Sequence, residues 1–124
     1  REVFMKNKVN ILGTVYKIYR GDYEHDKYIN MDQCFGYCNM DDKEIVICKL
    51  ETHPNYTYVT DTFVAKHEKE TLRHEIVHAF LKESGLDGSS LQYEGAWPRN
   101  EEMIDWIAIQ GEKIYKAWKE AEAL

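Results

Sequence analysis

The stretch TLRHEIVHAF (71–80) sets His74 and His78 four residues apart, with Glu75 directly after the first histidine. Two imidazoles at that spacing reach one point only if the backbone between them is helical, which puts positions i and i+4 on one face about 6 Å apart. The motif therefore demands a helix through residue 78. It also places Glu75 about 100° round from His74, beside the shared point but outside the pair. Metal-assisted hydrolysis uses such an arrangement: two neutral rings hold the ion and a carboxylate takes a proton from water. The competing reading is a solvated helical face, because Lys66, Lys69, Arg73 and Lys82 surround the motif.

The metal reading makes a demand on the rest of the chain. A catalytic zinc ion takes three protein ligands and keeps a fourth position open. No histidine follows His78, and the glycine and third-histidine positions of a metzincin hold Leu81 and Ser84. The third ligand must then be a carboxylate on another element. NEEMID (100–105) offers one, with Asn100 as helix N-cap and Glu101 and Asp105 four apart on one face. Glu101 is the candidate ligand, and Asp105 can accept the second ring N–H of a liganding histidine. A different roll of the helix presents Glu102 instead, and an acidic first turn suits the helix dipole without any metal. Asp87 is a weaker alternative, since no helical partner orients it.

The 124 residues read as one domain, 1–124, with a single modest core. The first half is strand-like: 9–19 reads as one strand, 21–28 as a polar loop, and 34–50 as two strands around an Asp41-Asp42-Lys43 turn. Residues 51–62 form a connection broken by Pro54. A helix is expected from about Phe63 to Ser84, stopped by Gly85, with Leu72, Ile76, Ala79 and Phe80 on its buried face. A loop over 86–99 leads to a second helix over 100–123, whose Ile104, Ile107, Ile114 and Trp118 face the core. Trp97 and Trp106 are assigned to the core as well. His25 and His53 fall in polar loops, and His67, seven residues before His74 on nearly the same face, is expected at the surface, with a distant entrance residue as the alternative. The order of strands before helices makes the fold α+β, with a small mixed or antiparallel N-terminal sheet.

Charge and cysteines narrow the function classes. Sixteen basic and 22 acidic residues leave a net charge of −6 with no basic stripe, which excludes direct nucleic-acid binding. No apolar run approaches the roughly 20 residues of a membrane span. Cys34, Cys38 and Cys48 are an odd set, read as free thiols in a reducing, cytoplasmic setting.

HEIVH followed by a helix opening NEEMID resembles the gluzincin pattern. The small size, the sheet-first order and GYCNMDDKEIVICKL leading towards the motif helix resemble the minimal zincin peptidases of the ImmA/IrrE kind, many carried by phages and mobile elements. NEEMIDWIA is similar to that family's last helix, with Glu101, Asp105 and Ala108 in matching places. Ile104 and Ile107 replace a usual alanine and phenylalanine, and the resemblance covers about residues 36–110. It implies a minimal zincin-like fold: a motif helix and a C-terminal helix carrying the third ligand. It also implies zinc-dependent hydrolysis of a protein or peptide substrate, such as a repressor-type regulator, held extended along a sheet edge; residues 44–50 are the expected neighbourhood. One zinc ion per chain, with Glu75 as general base, is the chemistry that follows. Tyr93, between the two helices, is the candidate oxyanion donor, against the alternative that its ring only packs. A zinc-stabilised binding module without turnover is the rival reading; a closed structural site has no need of Glu75.

Overall fold

The computed structural model describes residues 2–86 and 97–124. Strands β1 (Glu2–Ile11) and β2 (Thr14–Gly21) form an antiparallel hairpin, with Ile11 opposite Thr14 and Val9 opposite Tyr16. Residues 9–19 are thus two strands and a turn, not one strand. At the turn Leu12 and Gly13 both have positive φ, 51° and 95°, as a two-residue hairpin with the twist of its strands requires. Asn10 Oδ1 accepts from Gly13 N–H at 2.8 Å, so the asparagine that favours such a turn sits just before it. With leucine in the loop, the apolar run reads straight through.

Helix α1 (Lys27–Asp32) follows, inside a stretch that reads as loop at its start. Buried Asp26 caps it, accepting from the N–H groups of Tyr28 and Ile29. Strands β3 (Gly36–Asn39) and β4 (Glu44–Cys48) pair antiparallel about the expected Asp41–Lys43 turn. β4 then lies parallel to β2, giving a mixed four-stranded sheet of order β1-β2-β4-β3. β4 is covered on both faces, so its apolar residues run without a break. Ile45 and Ile47 join Ile11, Tyr16, Ile18 and Ala79 in one cluster, while Val46 and Cys48 join Ile29 of α1 in another. The architecture is a small α+β fold, sheet first and long helices after.

Helix α2 (Asp61–Glu83) crosses the sheet, capped by Thr60 and ended by Gly85 at φ 86°. Its buried stripe runs through Glu68, Glu75 and Ala79, with Leu72 and Ile76 half-buried against the core. Phe80, 100° round from Ala79, falls off that stripe and is 43% exposed, against the sequence expectation. Gly36 lets α2 approach β3: a Cβ there would stand 2.9 Å from both Thr71 Cγ2 and Val46 O.

Two carboxylates, one buried and one half-buried, pin α2 near each end. Glu68 takes a two-pronged bond from Arg20 of β2, Nε to Oε1 at 2.8 Å and Nη2 to Oε2 at 2.9 Å, and also accepts from Leu50 N–H. At the other end Glu83 accepts from Lys43 Nζ and Tyr16 O–H, both at 2.7 Å, and from Thr14 Oγ1 at 3.1 Å. Those donors, Lys43 first and then Tyr16, hold the Glu83 carboxyl down at about 2, below its ordinary 4.5. A carboxylate whose folded value is depressed stabilises the fold above its ordinary value and loses that contribution as pH falls. Glu83→Gln is therefore expected to melt below the wild type at pH 6, with the gap closing as pH drops from about 4.5 towards 2. Thermal melts of both proteins across that range check it.

Helix α3 (Glu101–Glu120) is capped by Asn100, whose Oδ1 accepts from Met103 N–H at 2.9 Å. It buries Ile104 and Ala108, and Arg73 Nε donates to Ala108 O at 2.9 Å. Trp97, Trp106 and Trp118 are 57%, 57% and 52% exposed, so none is core. An aromatic helix residue is buried only where a second element lies over it, and α3 buries a narrow stripe. His53 also departs from expectation: it is 3% exposed, edge-on to Tyr23 and tilted against Phe35. Among the described residues no helix is long and apolar enough to cross a membrane.

Candidate metal centre

Helical spacing brings His74 and His78 to one side of α2, and the capped first turn of α3 faces them. The two Nε2 atoms lie 3.1 Å apart. Glu101 spans both, Oε2 at 3.0 Å from His74 Nε2 and Oε1 at 3.2 Å from His78 Nε2. Asp105 Oδ1 stands 2.6 Å from His74 Nδ1. That short contact places a proton on Nδ1, which leaves Nε2 of a neutral ring with a bare lone pair. Two imidazole nitrogens and a carboxylate then converge on one point, where a metal ion, or a proton carried on His78 Nε2, can lie between them. With one atom taken from each residue, the three lie within 4.8 Å of one another, and the two ring nitrogens, 3.1 Å apart, stand close to the roughly 3.3 Å between tetrahedral ligands about 2.0–2.1 Å from an ion. The donor set fits zinc.

Glu75 sits beside this cluster and is 6% exposed. His74 Nε2 stands 4.0 Å from its Oε2, and it makes no hydrogen bond among the described residues. Burial pushes its carboxyl up to about 7; Glu101 and Asp105 add to the rise and His74 opposes it. A group that titrates near neutrality exchanges protons readily at working pH.

All five residues line a cleft of about 630 Å³ between α2, α3 and the start of β3. Glu102 is not among them; it borders a shallower groove with Met103 and Trp106. Tyr93 and Asp87 lie outside the described residues. β4, the expected neighbour of an extended ligand, is hydrogen-bonded on both sides by β2 and β3 and offers no edge. The strand beside the cleft is β3, which lines it through Gly36, Tyr37 and Cys38.

Sequence reasoning missed that wall, along with Glu70. His67 is half-buried against Phe35, ring centroids 4.8 Å apart, and lines the cleft one turn before Glu70. Glu70 was findable, standing four residues before His74 on the same face. Cys34 and Cys38 also line the cleft and, with Cys48, are free thiols. Burial pushes Cys38 up to about 12 and Cys48 to about 11, so both stay protonated.

The chain belongs to the DUF8637 family, a domain of unknown function, whose family model matches residues 2–95. The matched stretch holds the sheet, α1 and α2 with His74, Glu75 and His78; Glu101 and Asp105 follow it. No curated protein and no solved structure matches the chain.

Proposed function

We propose that this chain is a zinc-dependent metallopeptidase of minimal zincin-like architecture, with His74, His78 and Glu101 as ligands and Glu75 as general base. The observation that carries this reading is the pairing of three convergent ligand residues with a buried carboxylate that makes no hydrogen bond among the described residues. When bound, zinc supplies Lewis acidity, acidifying a water and polarising a carbonyl oxygen. Glu75 removes a proton from the attacking water and returns one to the leaving amine. Asp105 holds His74 in the Nδ1–H tautomer and so keeps the Nε2 lone pair on the ligand point. The outer side of β3 is the edge along which an extended substrate would add as a strand.

Metal content separates the two candidate ligands. The wild type and Glu102→Ala are expected to carry about one zinc per chain, and Glu101→Ala under about a tenth of that, because two imidazoles alone hold the ion weakly. Elemental mass spectrometry on the three proteins decides it. Zinc-free wild type, with no rise in melting temperature on adding zinc, would remove the metal and the peptidase together.

A further inference from the structure

The proposed chemistry leaves one cleft carboxylate without a task. Glu101 meets the two histidines, Asp105 holds His74, and Glu75 is the base. Glu70 is the fourth acid lining the cleft, and no lysine or arginine is among the described residues that line it. Glu70, His74 and His78 stand at i, i+4 and i+8 of α2, so they form one row. Glu70 is half-buried and makes no hydrogen bond or ion pair among the described residues. Beside it the wall carries the Phe35 ring. His67, one turn earlier, meets the Phe35 ring at 4.8 Å, and Thr71 packs on Gly36.

Resting on the metallopeptidase reading, we infer that the cleft selects peptides carrying lysine or arginine within two residues of the bond cut, with the cationic head on Glu70. The methylene stem of such a side chain lies along Phe35, as long basic side chains bury their stems and leave the charge to a polar partner. The reach agrees. Glu70 stands one helical turn, about 6 Å between Cβ atoms, from His74, and an extended peptide advances about 3.3 Å per residue. A free peptide amino terminus carries the same ammonium chemistry, and acetylated peptides tell it apart.

The test digests a mixed library of acetylated peptides with zinc-supplemented wild type, Glu70→Gln and Glu70→Lys, with cleavage sites read by mass spectrometry. The wild type should favour lysine or arginine near the cut about tenfold over norleucine, the ratio one partly solvated charged hydrogen bond supports. Glu70→Gln should bring that ratio within twofold of unity while norleucine peptides are cut as before, and Glu70→Lys should turn the preference to acidic residues. Cleavage indifferent to basic residues, a preference that survives Glu70→Gln, or a demand for a free amino terminus overturns the inference.

A second arm needs no turnover. Fluorescence anisotropy measures binding of an acetylated lysine hexapeptide and its norleucine twin to Glu75→Gln, with and without Glu70→Gln. A lysine preference of about tenfold that Glu70→Gln removes upholds the cationic subsite even if no bond is ever cut, which would fault the peptidase reading alone. Equal binding of the two peptides refutes the subsite.

Discussion

Glu75→Gln is expected to lose peptide hydrolysis by about 10²–10⁴-fold, the contribution of a positioned general base, while keeping its zinc. Glutamine has nearly the same shape and hydrogen-bonding reach, so His74, His78 and Glu101 should stay in place; only proton transfer is removed. Digestion of the peptide library, with metal content measured on the same samples, checks both halves. A variant that cleaves at the wild-type rate would sink the base assignment.

The same substitution has a second consequence, visible in the metal-free protein. Glu75 is raised to about 7 from an ordinary 4.5, chiefly by burial. The folded chain therefore binds the proton more tightly than the unfolded chain, and stability drains away as pH rises from about 4.5 to 7. Glutamine is neutral throughout. With chelator present, Glu75→Gln should melt above the wild type at pH 8, and the margin should vanish near pH 4. A margin independent of pH would show that Glu75 is not the group held against its charge.

Glu68→Ala is expected to destabilise the fold by about 3 kcal/mol, the lower end of the cost of breaking a buried ion pair by removing one partner. Glu68 is 7% exposed in its side chain and Arg20 22%, so the guanidinium left behind regains only part of its hydration. The loss also strips Leu50 N–H of its acceptor and frees one anchor of α2. Urea unfolding followed by circular dichroism measures it. An effect below about 0.5 kcal/mol, the size of an ordinary surface change, would mean that the pair contributes little.

The chain announces some of this by itself. His74 and His78 can meet only on a helix, and Asn100 before an acidic first turn marks where the next helix starts, because both signals are local and lie within one or two turns. The two strands about Asp41–Lys43 are legible for the same reason. The hairpin at Leu12-Gly13 is not, since the asparagine that stabilises the turn stands outside it. The roles of Glu68 and Glu83 are not legible in the sequence, because their partners Arg20, Tyr16 and Lys43 lie 40 to 67 residues away. The exposed tryptophans mislead in the opposite direction, since hydrophobicity predicts burial only where another element supplies the cover.

Local spacing therefore determined which residues can act together: the two histidines with Glu75, and Glu101 with Asp105. Tertiary structure alone decided that Glu101 rather than Glu102 faces the rings, that β3 rather than β4 walls the cleft, and that Glu75 is buried. Helical periodicity sets which side chains share a face of one element. The roll of that element against its neighbours, and the order of strands in a sheet, come from packing between residues far apart in the chain.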